Sequence, residues 1–302
     1  SQSAPDSIHD LEIIDLEPIS SGPQHWTARL GEELYQQYRE FWPMSHDQMG
    51  DVIIVKVPEQ VSQFSKNIGK AMLEQHSSAR IVCADNGVKG NFRVRDLSVL
   101  ATKGDNSTKT QVKEHGNKFW IDPGLVYYSP RLATERLETL DTVKNLSESL
   151  GRKISVCDPY AGVGPALIPL SKMTNYVDAI YASDLNPNAA DFLALNLPAH
   201  TTSCADARKL SSTQPQCCDL LLVNLPHDCI GHLPDLLGLL KKGHEVVIRG
   251  WAILQSDSLA EAEGIIRGHL SKAEIISLNI DAKKSYASDF DYVRIEIHLI
   301  IS

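Results

Sequence analysis

Hydrophobic positions in the second half of the chain follow two alternating periods. Short apolar runs typical of buried strands alternate with segments of helical spacing from about residue 154 onward. The runs read "ISVCD", "AIYASD", "DLLLVNLP", "HEVVIRGW", "AEIISLNI" and "DYVRIEIHLII". This alternation predicts an α/β fold with a doubly wound, mostly parallel sheet. The last two runs leave no room for a helical crossover, so we expect them to be antiparallel neighbours.

The region before this pattern divides into two parts. Residues 47–125 combine strand-like segments with one amphipathic helix, "QVSQFSKNIGKAMLEQH", and predict a small α+β domain. The strand-like segments are "DVIIVKVP", "ARIVCAD", "NFRVRDLSVLA", "TQVKEHGNKFWID" and "GLVYYSP". Residues 1–46 are expected to form an appendage, with helical spacing in "ARLGEELYQQYREFWP". The third region, 126–302, opens with the helix "ATERLETLDTVKNLSESLG" and includes a second predicted helix, "LPDLLGLLKKG".

The composition argues against several classes of protein. No apolar run approaches the roughly 18 residues that span a bilayer, and the acidic N-terminal segment is unlike a signal peptide. We therefore expect no membrane partner. The six cysteines show no CxxC pair and no histidine spacing suited to zinc, which predicts no metal and reduced thiols in a cytoplasmic protein.

The charge is distributed unevenly along the chain. The net charge is −9, but residues 1–60 hold 3 Lys+Arg against 11 Asp+Glu, whereas residues 80–153 hold 13 against 9. A polyanionic ligand therefore meets a positive face only in the middle of the chain. Chance is an equally good explanation of this excess before any motif is considered.

Acidic residues end three successive strand-like segments and indicate a nucleotide cofactor. "VCDPYAGVGP" places Asp158 before a turn containing Gly162 and Gly164, where a missing Cβ lets the backbone approach a ligand. The third glycine of a full dinucleotide fingerprint is absent. Asp184 ends the next strand, where a carboxylate binds ribose hydroxyls, and Asp206 is placed to accept from an adenine amine. Their neighbours Leu185 and Ala207 complete the predicted binding set.

The acid before the glycines favours a positively charged cofactor. A carboxylate there repels a pyrophosphate but tolerates S-adenosylmethionine, and the arrangement resembles class I methyltransferases over about 154–302. Tyr160 is expected to pack beside the methionine part, with plain core packing as its alternative. Asn224, in "VNLPHD" after the fourth strand, is placed to hold a planar base. His227 is either catalytic or a solvent-facing loop residue. No cysteine stands where a cysteine nucleophile is needed, so all six are interpreted as structural.

Six segments together resemble the Trm5/TYW2 family of tRNA guanosine-37 modification enzymes. They are "GDVIIVKVPE", "NFRVRDLSVLA", "VYYSPRLATER", "DPYAGVGP", "SDLNPNA" and "NLP", in the family's order over about 49–250. The resemblance is closer to the branch that makes N1-methylguanosine. It implies a seven-stranded class I methyltransferase sheet preceded by the smaller domain. Two departures are a degenerate first 46 residues and "VVIRGWAIL" in place of a more aromatic strand end.

The resemblance also implies roles for the charged residues of "SPRLATER". Guanine N1 loses a proton as it is methylated and O6 gains negative charge, so the site needs a general base and a cation or donor. Glu135 is the expected base, and Arg136 is expected to bind the cofactor's carboxylate. Arg131, four residues before Glu135, is expected to share its helix face, with a surface salt bridge as the alternative.

Two further arginines are candidates for the O6 contact. Arg93 and Arg95 alternate with apolar residues in a predicted strand, so both are expected on one face, and Arg95 is favoured over Arg93 and Arg131. A solvated strand face is the alternative.

The predicted function is N1 methylation of guanosine 37 in tRNA, next to the anticodon. The expected partner is the anticodon stem-loop, held by phosphate contacts of residues 47–125, and the protein is expected to act as a monomer. Two alternatives stay open: transfer of the aminocarboxypropyl group of the same cofactor to a tricyclic guanosine derivative, as in wybutosine-type tRNA modification, and a non-catalytic RNA-binding relative.

Overall fold

The structure is a computed structural model that describes residues 25–302. A four-stranded sheet occupies the first part of the chain, in the order β1-β2-β3-β4. β2 and β3 pair in parallel, and the other two pairs are antiparallel. The strands are β1 (Asp47–Met49), β2 (Val52–Val55), β3 (Ile81–Lys89) and β4 (Val94–Thr102).

Residues 25–46 belong to this small domain and do not form a separate appendage. They contain a 3-10 helix (Trp26–Arg29) and α1 (Glu32–Gln37), and they pack against α2 (Ser65–Gln75). The indoles of Trp26 and Trp42 meet edge to face with their centroids 6.3 Å apart, and both are buried in one apolar cluster with α2. Burial of two large aromatic side chains explains why the segment is docked. The rest of the predicted appendage, residues 1–24, lies outside the described residues.

A hairpin follows the small sheet and leads to an irregular linker. It consists of β5 (Thr110–Glu114) and β6 (Asn117–Ile121), joined by a two-residue turn in which both residues have positive φ. "TQVKEHGNKFWID" is thus two strands. The predicted strand "GLVYYSP" is wrong, because the Asp122 carbonyl accepts from the N–H groups of Leu125 and Val126 and turns the chain there.

The third region forms a seven-stranded sheet in the order β12-β13-β11-β10-β7-β8-β9. Neighbouring strands are parallel except at β13, which is antiparallel to both of its neighbours. The predicted fold class and the antiparallel last pair are confirmed. The strands are β7 (Ile154–Asp158), β8 (Val177–Asp184), β9 (Thr201–Cys204), β10 (Leu220–Val223), β11 (Glu245–Gln255), β12 (Ala273–Ala287) and β13 (Phe290–Ile301).

Five helices accompany this sheet: α3 (Ala133–Leu150), α4 (Leu167–Ser171), α5 (Pro187–Asn196), α6 (Cys229–Leu236) and α7 (Leu259–His269). α3 ends at Gly151 in the left-handed conformation, as the sequence predicts. The helix predicted over 233–243 instead begins at Cys229. It ends early because Leu240 is extended and bridges to Cys218.

One apolar core joins the small domain to the large sheet. It contains Met49 and Ile81 from the first sheet together with Ile154 and Val247 from the second. Among the helices of residues 25–302, none is long and apolar enough to cross a bilayer.

Candidate active site

Four polar side chains follow neighbouring strands at one edge of the large sheet. Asp158 and Asp184 are the last residues of β7 and β8, Asp206 lies just beyond β9, and Asn224 comes directly after β10. The order β10-β7-β8-β9 places these strand ends side by side. Ligands of open α/β sheets bind outside the carboxyl ends of the strands. The edge predicted from the sequence is therefore present.

The turn after β7 is shaped by two glycines. Gly162 and Gly164 have φ of 56° and 86°, a conformation that other residues rarely adopt. A Cβ on Gly164 would also lie 3.0 Å from Leu193 Cδ1, so the turn packs tightly on α5. A Cβ on Gly162 would meet nothing closer than the Tyr127 carbonyl at 3.9 Å. The turn is thus packed against α5 at Gly164, while open space remains beside Gly162.

Asp184 fixes this turn to β8. Its Oδ2 accepts from the Gly162 N–H at 2.8 Å, and its Oδ1 accepts from the Asn186 N–H at 2.9 Å. Burial raises the pKa of Asp184. The next side chain, Leu185, is 58% exposed although it is apolar. A fixed carboxylate beside an exposed apolar side chain fits the ribose and base of a nucleoside.

Asp206 and Ala207 are less accessible to a cofactor than the sequence predicts. Asp206 accepts from the Arg208 N–H at 3.1 Å, and the Arg208 guanidinium lowers the pKa of Asp206. The Ala207 side chain is buried in the core on that side of the sheet. A contact from Asp206 to an adenine amine stays a prediction, whereas the side chain of Ala207 faces the core.

Tyr160 supports Asp158 through its backbone. Its N–H donates to Asp158 Oδ1 at 3.0 Å, and its hydroxyl lies 2.6 Å from His232 Nδ1 on α6. The sequence analysis missed His232, because nothing in the spacing links α6 to the turn after β7. Tyr160 is half-buried, and the centroid of its ring lies 5.9 Å from that of His232 on α6.

Asp158 is a buried carboxyl. Burial raises its pKa to about 7, the Tyr160 N–H opposes this shift, and the charge of Asp184 adds to it. Since the pKa in the folded state lies above the ordinary value of 3.8, the folded state favours the protonated form. The stability that this form contributes is full at low pH and is lost as the pH rises toward 7.

Asp158→Asn is therefore expected to stabilise the ligand-free protein in a pH-dependent way. Asparagine has nearly the shape of the protonated acid and cannot ionise, and each pKa unit corresponds to about 1.4 kcal/mol. The difference in unfolding free energy between variant and wild type should grow by about 2–3 kcal/mol between pH 5 and pH 8. Urea denaturation at both pH values measures it, with the exposed Asp191→Asn as the control. A difference that does not change with pH would contradict the assignment.

Glu135 lies in the first turn of α3 and faces the large sheet. Its Oε2 accepts from the indole Nε1 of Trp251 at 3.3 Å. Gly250 pairs with Val223, so Trp251 occupies the position on β11 beside Asn224 on the neighbouring chain segment. Trp251 thus links Glu135 to the strand next to the one that Asn224 follows, and the roles of Glu135 and Asn224 stay predictions. The sequence analysis did not assign Trp251, although "VVIRGWAIL" stood out as a departure.

Arg131 does not pair with Glu135. It lies in a 3-10 helix (Pro130–Leu132) that precedes α3, so spacing on an α-helix does not apply to it. Its Nη2 is 3.5 Å from Asp47 Oδ1, and its side chain is 78% exposed. The predicted shared helix face is therefore wrong.

Arg95 shares Asp47 with Arg131. It donates to Asp47 Oδ2 at 2.7 Å and to Asp85 Oδ2 at 3.1 Å. Two of the candidate cations for O6 are thus brought together, with the Asp47 carboxylate between them.

Arg93 does not share a strand face with Arg95. β4 begins only at Val94, and Arg93 sits in the preceding turn with φ of 51°. This turn directs its Nη1 to within 3.0 Å of His227 Nε2 in the loop after β10. The contact joins the small domain to the loop after β10, next to the site. His227 also lies against the ring of Tyr286, which belongs to the β12–β13 hairpin.

The predicted contact of Arg136 with a cofactor carboxylate is contradicted by its position. Arg136 is buried, and its Nε donates to Glu114 Oε1 at 2.7 Å. Its Nη2 donates to the other oxygen of Glu114 and, at 3.1 Å, to the Ser129 carbonyl. The Tyr128 hydroxyl donates to the same carboxylate at 2.7 Å. Arg136 thus joins α3 to β5 and to the linker that precedes α3.

Three buried cysteines form a cluster that spacing did not reveal. The Sγ atoms of Cys157, Cys217 and Cys218 lie within 4.8 Å of one another. Cys157 is on β7, and the other two precede β10, so the cluster exists only in the folded chain. The Cys218 S–H donates to the Leu239 carbonyl at 3.3 Å. This geometry is that of a satisfied core thiol, and all six cysteines are free.

Two family models match the chain. The TYW2 N-terminal domain matches residues 27–107, and the TRM5/TYW2 methyltransferase domain matches residues 110–261. The second match covers half of the chain and contains Glu135, the glycine turn and Asn224.

Curated proteins show the same likeness. A Pyrococcus abyssi protein named tRNA (guanine(37)-N(1))-methyltransferase Trm5b is 32% identical over 193 residues, 63% of this chain and 54% of that protein. A Methanocaldococcus jannaschii protein of the same name is 36% identical over 155 residues, 51% of this chain and 42% of that protein. The chain thus spans about half the length of the curated relatives it matches.

Solved structures share the fold over most of the chain. The crystal structure of wild-type Trm5b from Pyrococcus abyssi superimposes with a TM-score of 0.68 at 26% identity, over 88% of this chain and 78% of that one. A complex of aTrm5 and tRNALeu gives a TM-score of 0.70 at 26% identity, over 96% and 83%.

Proposed function

This chain belongs to the TRM5/TYW2 family, and on that premise we propose that it transfers the methyl group of S-adenosylmethionine to N1 of guanosine 37 in tRNA. The observation that carries the proposal is the position of Glu135. Its carboxylate lies at the sheet edge, 3.3 Å from the Trp251 indole, and Trp251 stands beside Asn224. This position supports Glu135 as the base and Asn224 as the base-binding amide, the two groups that methylation of a protonated ring nitrogen requires.

The cofactor edge fits S-adenosylmethionine. Asp184 would hold the ribose hydroxyls, and Leu185 would lie against the adenine, because it is exposed directly beside that carboxylate. Asp206 is the proposed acceptor for the adenine amine, and Tyr160 with Asp158 would face the methionine part. The cofactor supplies an electrophilic methyl group when it is bound.

The protein's own residues handle the proton and the charge of the base. Glu135 accepts the N1 proton, which makes the N1 lone pair available. Asn224 hydrogen-bonds the guanine edge and fixes its orientation. Arg95 is the proposed donor to O6. Arg131 is more exposed and contacts the same carboxylate, that of Asp47. Both arginines act by stabilising the negative charge that develops on O6.

The proposed partner is the anticodon stem-loop, bound by a monomer. The small domain is joined to the site by the Arg93–His227 contact, so RNA held by this domain would present a loop base at the sheet edge. Unstacked loop bases are accessible to such sites. Phosphate contacts would make binding weaken with salt. The six free thiols support a cytoplasmic setting.

A second candidate is transfer of the aminocarboxypropyl group of the same cofactor. The match of residues 27–107 to the TYW2 N-terminal domain favours it. The names of the curated relatives described above favour methyl transfer, and methyl transfer is the function that we propose. The third candidate, a non-catalytic RNA-binding relative, would bind tRNA without modifying it.

Labelled donors distinguish the three candidates. With the label in the methyl group of S-adenosylmethionine, we expect radioactivity to enter tRNA that carries an unmodified guanosine 37. With the label in the carboxyl carbon, we expect none. With tRNA that carries a tricyclic guanosine derivative at position 37, label from the carboxyl carbon and none from the methyl group would establish aminocarboxypropyl transfer. No incorporation from either donor into either tRNA, in a protein that binds cofactor and tRNA, would overturn both enzymatic functions.

A further inference from the structure

Trp251 is the one side chain that hydrogen-bonds the carboxylate of Glu135 among residues 25–302. The indole Nε1 donates to Glu135 Oε2 at 3.3 Å. The two residues come from α3 and β11, which are far apart in sequence.

The indole is held firmly in place. Trp251 is 3% exposed, and the Arg249 guanidinium lies over its ring at 5.7 Å. Directly before it, Gly250 lets β11 approach α6, since a Cβ there would lie 2.7 Å from Cys229 Sγ. Two residues after it, the Ile253 N–H donates to the Pro226 carbonyl at 2.8 Å. β11 is thus fixed to the loop that carries Asn224.

We infer that Trp251 is a positioning residue for the reaction: its indole N–H orients the Glu135 carboxylate toward the base held by Asn224. One carboxylate oxygen is held by the indole, and the other is left for the N1 proton. A glutamate without this anchor samples several rotamers, of which few point toward the base. This inference rests on the proposed function, because it assigns a role to the base of that reaction.

Replacing Trp251 with phenylalanine tests the inference. Phe keeps an aromatic ring on β11 and removes the N–H donor. We expect kcat for methyl transfer to fall by about 10- to 100-fold, with the KM values for tRNA and for S-adenosylmethionine within about 2-fold of wild type. A benzothienylalanine variant at the same position, with sulfur in place of N–H, should show the same loss with even less change in shape.

Trp42 provides a matched control. It is equally buried, and its indole Nε1 also donates a hydrogen bond, at 3.1 Å to the Tyr35 carbonyl, but it lies in the small domain. Trp42→Phe thus reports the general cost of losing a buried indole N–H. We expect its kcat to equal that of wild type.

A spectroscopic measurement tests the contact without turnover. The chain has four tryptophans, so the indole N–H resonances are few, and that of Trp251 is the one missing from Trp251→Phe. It should shift in Glu135→Gln, because the charged acceptor is lost, and stay in place in Glu148→Gln, which changes an exposed residue of α3.

The outcomes separate this inference from the proposed function. An active wild type whose kcat is unchanged in Trp251→Phe overturns the inference alone. So does an indole resonance that does not respond to Glu135→Gln. A wild type that transfers no methyl group overturns the proposed function, and the indole resonance still decides whether the contact forms.

Discussion

Replacing Glu135 with alanine is expected to lower kcat for methyl transfer by about 10²- to 10⁴-fold, the usual contribution of a general base. Without the carboxylate, the N1 proton has no acceptor at the sheet edge where Asn224 would hold the guanine. Affinity for S-adenosylmethionine should stay within a few-fold of wild type, because the glycine turn is fixed by Asp184 and not by α3. Single-turnover kinetics with saturating cofactor measures the loss, and calorimetry measures the affinity.

Two further variants make this result specific. Glu135→Gln keeps the size of the side chain and should lose activity to a similar degree, because an amide is not a base. Glu148→Gln, near the other end of α3 and exposed, should be as active as wild type. If Glu135→Ala turned over at the wild-type rate, the assignment of the base would be wrong.

Asp184→Asn is expected to weaken S-adenosylmethionine binding by about 10²-fold. Both carboxylate oxygens accept backbone N–H groups, from Gly162 and from Asn186. An amide has only one acceptor atom, so one of these N–H groups must face an NH₂ group, and a hydrogen bond to a charged group contributes about 1.5–3 kcal/mol. The glycine turn then loses its fixed position, and the ribose loses its proposed acceptor.

The matched control for this variant is at the opposite end of the same strand. Asp178 is exposed near the start of β8, away from the ligand edge. Asp178→Asn should bind the cofactor as wild type does, by calorimetry at the same pH. Wild-type affinity in Asp184→Asn would contradict the proposed cofactor edge.

The seven-stranded sheet is predictable because its signals are local. Strands buried on both faces read as short apolar runs, and the helices between them have their own period. Asp158 and Asp184 end such runs, so the fold alone places them together. For these residues the position in sequence determines the position at the edge.

The arginines show where local spacing is not enough. The partner of Arg136 is Glu114 on a hairpin 22 residues earlier, and nothing in "SPRLATER" specifies it. Arg131 misses the face of Glu135 because the helix begins two residues later, at Ala133. A shift of two residues at a helix start changes the direction of a side chain by about half a turn.

The other residues around the proposed base are brought there by contacts between elements far apart in sequence. The indole of Trp251 reaches Glu135 only after β11 has been placed beside β10, and Arg93 reaches His227 only after the small domain has docked. Such contacts depend on strand order and on the angle between domains. Neither can be read from the period of apolar residues, so the residues that surround the proposed base became known only from the structure.

Mass spectrometry of nucleotide 37 tests directly whether the protein methylates N1 of guanosine 37. A tRNA transcript with an unmodified guanosine at position 37 is incubated with the protein and S-adenosylmethionine, then digested to nucleosides and oligonucleotides. We expect a gain of one methyl group on this nucleotide, with chromatographic identity to N1-methylguanosine, and no gain with Glu135→Ala. An unmodified guanosine 37 after incubation with active, cofactor-binding protein would contradict it, as would a methyl group at another position.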